Sequence, residues 1–206
     1  MEKRMKETSV LMVVAIGLML IQCGCGGGVT KTGYLTDYSR LQKESDSTLR
    51  YVNTRALARY SNFIVNRVEV HLHSGAKSKG KLTQKEINDL TNYMHARVVK
   101  AVEDSGNRVA YQPAAGVARI RIALTDINKS TAASLLPQAK LAGIGLGGAS
   151  MEAEIIDSKT GEQIGAVVEA QKGSRIPFAN LGELDAAKQV MNDWAKRFQK
   201  RLESAR

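Results

Sequence analysis

Cys23 and Cys25 are the only cysteines of this 206-residue chain, and their setting narrows the sulfur chemistry open to them. They lie in LMLIQCGCGGG, residues 18–28, where an apolar run gives way to glycines. A disulfide between them would close a tiny, strained ring. A thiol–disulfide redox motif needs two intervening residues, and here there is one. Zinc would need further ligands, and the three histidines stand far along the chain. A cysteine just after a signal-type apolar run has a fourth use: it becomes the first residue after cleavage, and its thiol carries a diacylglyceryl group. Before Cys23, Leu20 and Ile21 suit such a cleavage site, but bulky Gln22 sits next to the cut. Before Cys25 the adjacent Gly24 is small and Gln22 is the poor fit. The adjacent position must fit the peptidase closely, so Cys25 is the expected lipidation site and Cys23 the alternative. A cut before Cys25 also leaves no free thiol, which suits an oxidising envelope.

Three other constellations invite chemistry. Glu69, His71 and His73 alternate along a predicted strand and share one face, the geometry by which imidazoles gather round a metal. No further ligand can be named, so the trio reads as a solvent-facing edge, and neither a metal nor a cofactor is expected. Gly143-x-Gly145-x-Gly147-Gly148 resembles a phosphate loop in spacing alone. It leads into a strand rather than a helix, and no Lys-Ser/Thr follows, so it reads as a flexible lead into a hairpin. Glu152 and Glu154 share a strand face and are expected to be solvated. No nucleophile elbow occurs. The chain is therefore expected to be non-enzymatic. The alternative is a periplasmic enzyme whose site residues are dispersed in sequence.

The elements that would position these residues are readable in outline. Residues 1–24 read as a lipoprotein signal peptide: Lys3, Arg4 and Lys6 precede the uncharged run Val10–Ile21. That run is shorter than the roughly 20 residues a membrane span needs. Residues 25–61 read as a lipid-anchored tether and an irregular segment wrapped on the body, with Tyr34, Leu35, Tyr38, Leu41 and Tyr51 as anchors. Residues 62–206 read as a single α/β domain. Within it, alternation predicts strands over 62–73 and 117–126. A hairpin is expected over 151–156 and 163–171, turning at Asp157–Gly161. Thr83 and Glu86 form a capping box opening a helix with apolar Ile87, Leu90, Met94, Val98, Ala101 and Val102, stopped at Ser105-Gly106. A last helix spans about 183–204, with Val190, Met191, Trp194, Phe198 and Leu202 as its buried stripe. Single apolar stripes on both helices imply two layers. The expected fold is an α+β two-layer sandwich, a mixed sheet of four to five strands with two main helices on one face.

The formal charge is +10 and aromatics make up only 5%. Only three basic residues lie before Cys25, so the charge belongs to the folded body. The basic residues are scattered, and few aromatics accompany them, which argues against nucleic acid. An anionic lipid surface or an envelope protein is the partner such a body suits. Between Ser130 and Met151 the only charge is Lys140, and the stretch carries Leu135, Leu136, Leu141, Ile144 and Leu146. Three roles stay open for it: packing on the core, contact with a partner, or contact with the membrane. Oligomeric state is not set by any of these features.

The stretch Thr32-Gly33-Tyr34-Leu35-Thr36-Asp37-Tyr38-Ser39-Arg40-Leu41 resembles the opening signature of a bacterial lipoprotein family, domain of unknown function 3313. Arg50-Tyr51-Val52, Arg67-Val68-Glu69-Val70, Ala123-Leu124-Thr125-Asp126, Leu135-Leu136-Pro137, Met151–Asp157 with Thr160-Gly161, and Trp194-Ala195 are similar to later segments of that family, in the same order. The resemblance covers roughly residues 32–203. It implies an exported outer-membrane lipoprotein without an established activity, and it transfers no functional residue. Gly26 follows Cys25, where the usual inner-membrane retention signal is Asp, so the periplasmic face of the outer membrane is the expected location.

Overall fold

The computed structural model describes residues 29–76, 78, 80–131, 147–173 and 182–205. In chain order the elements are β1 (Gln42–Ser45), β2 (Thr48–Val52), α1 (Thr54–Leu57), β3 (Asn62–Val65), β4 (Glu69–Val70), α2 (Gln84–Asp104), β5 (Arg108–Val109), β6 (Val117–Asn128), β7 (Gly148–Asp157), β8 (Gln163–Lys172) and α3 (Asp185–Ser204). The strands form one open sheet in the order β1-β2-β8-β7-β6-β3-β5, with β4 also paired to β6. From β1 to β6 neighbouring strands are antiparallel. On the far side of β6, strands β3, β4 and β5 are parallel to their neighbours. That parallel part needs a crossover, and α2 supplies it.

Register decides what each face carries. Ile122 of β6 pairs with Ala153 of β7, and Ala153 with Val167 of β8. These side chains, with Ile120 and Leu124, belong to the main core under α2 and α3. Arg121 pairs with Glu154, and Glu152 with Val168, so those residues face the opposite side.

α2 starts where its capping box directs. The Glu86 N–H donates to Thr83 Oγ1 at 3.2 Å and the Thr83 N–H to Glu86 Oε2 at 2.8 Å. Its buried stripe is Leu90, Met94, Val98, Ala101 and Val102. α3 buries Val190, Met191, Trp194 and Leu202 against α2 and strands β7 and β8. Burying each such side chain fully is worth about 1.5–3 kcal/mol, so the two helices hold this layer down together.

The α+β two-layer arrangement with two long helices on one face is as expected, but the sheet is not. It has eight strands among the described residues, not four to five. Residues 42–52, read as irregular, contain β1 and β2. Every residue of β1 is exposed, so it shows no apolar alternation. β4 and β5 are two residues each, too short to carry a period. The strand expected over 62–73 breaks after Val65, although backbone N–H groups of Asn66, His71 and His73 still bond along β6.

Candidate functional site

The most heavily built polar site lies on the sheet face away from the helices. Glu152 and Glu154 of β7 are 0% and 1% exposed. This corrects the expectation that they are solvated. Their cover is the N-terminal segment. Tyr34 and Leu35 are buried against Ala123, Ala166 and Val168, with Val29, Tyr38, Leu41 and Leu49 packed round them.

A carboxylate buried this deeply needs donors, and the chain supplies its own. Glu152 accepts from the Thr32 N–H at 2.5 Å and from the Tyr38 hydroxyl. Glu154 accepts from the Thr36 N–H and hydroxyl, both at 2.9 Å, and from Gln163 Nε2 at 2.8 Å. Arg121 donates to Glu154 at 2.5 Å and stacks its guanidinium 4.7 Å from the Tyr34 ring centroid. Gln163 Nε2 also reaches the Asp37 carbonyl at 3.0 Å. Burial and the Glu69 carboxylate raise the Tyr34 hydroxyl above its ordinary value. Burial and the Glu152 hydrogen bond do the same to Tyr38. Both phenols therefore stay protonated and keep donating at neutral pH. These groups already serve one another, so the arrangement works as a clamp that fixes residues 32–38 to the centre of the sheet.

The other sequence candidates fall elsewhere. Glu69, His71 and His73 lie at the border of this site. His71 Nε2 is 3.1 Å from Glu69 Oε2 and meets the Tyr34 ring edge-on at 5.0 Å between centroids. Tyr34 donates to Glu69 at 3.3 Å. No cluster of three metal-ligating side chains forms among the described residues. His95 contacts the Val65 carbonyl at 3.3 Å from α2. Cys23, Cys25, Leu135, Leu136, Leu141, Ile144 and Leu146 lie outside the described residues.

The glycine run has a packing reason where it is described, which corrects its reading as a flexible lead. Gly148 is paired on both sides, to Asn128 and Lys172. A Cβ there would stand 2.4 Å from the Gln171 carbonyl oxygen, and one at Gly147 would stand 2.5 Å from that of Asn128. Only glycine admits backbone this close.

Sequence reading missed the clamp because alternation separates two faces without telling which one is covered. The available signal was polarity in register. Arg119 and Arg121 share parity in β6, Glu152 and Glu154 share it in β7, and the tyrosine-rich segment needs a surface to cover.

A family model described as a protein of unknown function, DUF3313, matches residues 30–198. No curated protein matches the chain. Among solved structures, the PelC dodecamer from Paraburkholderia phytofirmans is 13% identical, with 74% of this chain and 96% of that chain covered and a TM-score of 0.44. A DUF330 protein from Xanthomonas campestris is 14% identical over 67% of this chain and 81% of that one, with a TM-score of 0.39. A provisionally described lipoprotein from Caulobacter crescentus is 9% identical, covers 73% and 92%, and has a TM-score of 0.33. Likenesses of this size carry no functional argument.

Proposed function

This chain belongs to the DUF3313 family of proteins of unknown function, and we propose that it is an exported cell-envelope lipoprotein with a binding or assembly role rather than an enzymatic one. The anchor is a lipid on Cys25, or on Cys23 if the signal is cut earlier. The location is the periplasmic face of the outer membrane, because Gly26 rather than Asp follows Cys25. The partner is an envelope protein or an anionic lipid, which a body of formal charge +9 (27 basic and 18 acidic residues after Gly24) attracts.

One observation carries the reading. The chain is clamped to the sheet from Thr32 onward by Glu152 and Glu154, only a short glycine tether away from Cys25. A lipid on that cysteine would hold the whole body close to the bilayer. The same observation weighs against an enzyme at this site, since its buried carboxylates accept bonds from the chain itself.

The test is the mass of the N-terminal peptide from protein purified from bacterial membranes. An acylated Cys25 or Cys23 supports the anchor and fixes the cut. An intact Met1 start, or a cut without lipid, removes it.

A further inference from the structure

A cleft of about 100 Å³ lies on the helix face of the sheet, between α3 and strands β2, β7 and β8. Met151, Ala153, Val167, Trp194 and Phe198 make an apolar wall. Val52, 38% exposed, marks where the cleft opens along β2. An engineered apolar cavity of about 150 Å³ takes up benzene, so a space of this order admits part of an alkyl chain.

Two features separate this cleft from a plain packing gap. The first is charge. Arg50, Arg197, Arg201 and Glu169 also line it. Arg197 holds Glu169 at 2.5 Å, and Arg50 reaches Glu169 at 3.6 Å and also pairs with Glu44. Among the described residues Arg201 forms one ion pair, with Glu44 at 4.0 Å, and feels Glu169 only at longer range. Among the described residues three guanidinium groups thus share two carboxylates, and one positive charge is left over. Burial, and next to it the neighbouring Arg50, lower the pKa of Arg201, the mark of a cation short of counter-charge. The second feature is Trp194. It is 3% exposed, and its buried indole N–H has no acceptor among the described residues. Buried donors are nearly always paired, so this one calls for a partner. Trp194, Arg197 and Arg201 recur at helical spacing and so share one face of α3.

We propose that this cleft binds the carboxylate end of a long-chain fatty acid, the first part of its alkyl chain against Met151, Ala153 and Phe198 and its carboxylate between Trp194 Nε1 and the guanidinium groups of Arg197 and Arg201. A carboxylate matches the single uncompensated charge, and arginine is the side chain best shaped to grip it. The site does not depend on lipidation at Cys25 or Cys23.

Trp194 is the only tryptophan, so its emission reports the cleft alone. The full chain, reconstituted in phosphatidylcholine vesicles, is titrated with 2-bromohexadecanoic acid, whose bromine stands beside the carboxylate and quenches an indole only on contact. Saturable quenching is expected, and the neutral 2-bromohexadecan-1-ol should bind at least tenfold more weakly. Arg201→Gln, at a half-exposed position with one long ion pair, should weaken the acid about tenfold and leave the alcohol unchanged. Ala153→Leu, which fills the wall, should abolish quenching by both. Absent quenching, equal affinity for acid and alcohol, or an Arg201→Gln variant that binds the acid as wild type does, would each overturn the assignment. Circular dichroism of both variants shows that the fold is kept, and either variant alone suffices for the decision.

Discussion

Glu154 shows how much one side chain is asked to do. It neutralises Arg121, takes two bonds from Thr36 and one from Gln163, and is fully enclosed while Arg121 keeps 27% of its side chain exposed. A surface pair of this kind would contribute under about 1 kcal/mol. Removing one member of a buried pair instead leaves the other charge and its donors unpaired, at about 3–5 kcal/mol. Because Arg121 is partly hydrated, the lower end applies. Glu154→Ala should lower the unfolding free energy by about 3 kcal/mol in urea titrations. A loss below about 1 kcal/mol would mean that water reaches the site and that the clamp is not sealed. Glu152→Ala should loosen the segment's start selectively. Its partners, Thr32 and Tyr38, both belong to the cover and not to the sheet.

Among the elements, the β7–β8 hairpin joins local turn chemistry to tertiary structure. Gly161 takes φ +75°, and Asp157 Oδ1 accepts the N–H groups of Thr160 and Lys159 at 2.7 and 2.8 Å. The other oxygen accepts the Tyr60 hydroxyl at 2.8 Å. These bonds, that of Thr160 foremost and Tyr60 next, lower the Asp157 pKa from 3.8 to about 2. A carboxyl depressed on folding stabilises the fold fully above its unfolded pKa and loses that contribution as pH falls toward the folded one. Wild type should therefore melt above Asp157→Asn at pH 5, and the gap should close between pH 4 and pH 2. A gap that persists at pH 2 would show that the carboxylate's charge is not what holds the turn. This hairpin, α2, β6 and α3 were legible in the sequence because each carries an uninterrupted period or a specific cap. β1 and β2 were not: β1 is an exposed edge strand that needs no alternation, and β2, paired between β1 and β8, carries Thr48, Arg50 and Val52 on one parity and so no clean apolar face. The clamp was not legible either, since β7 reads the same whether its polar face meets water or Tyr34 and Thr36. The cleft arginines, drawn from β2 and two turns of α3, are brought together only by tertiary packing.

For the whole molecule, charge and lipid offer two ways to stay on a membrane, and ionic strength separates them. Of the chain's formal +10, +9 is spread over the body after Gly24. At about 1 M salt the screening length falls to about 3 Å, so attraction between this charge and anionic lipid is lost. The proposed lipoprotein should remain with membranes through such a wash and leave them once both Cys23 and Cys25 are replaced by Ala. Release of the unaltered chain by salt alone would leave charge as its only hold. The clamp also sets where a pull on the chain would be felt. Tension arriving through the residues ahead of Val29 meets the Thr32–Glu152 bond first and then those of Thr36 to Glu154. Both carboxylates belong to β7, the middle strand of the seven in line. The load enters at the mechanical centre of the sheet and spreads to β6 and β8 across full ladders. Strands β1 and β5 lie outside that load path, so a body leashed in this way can swing about its midpoint with both rims unencumbered.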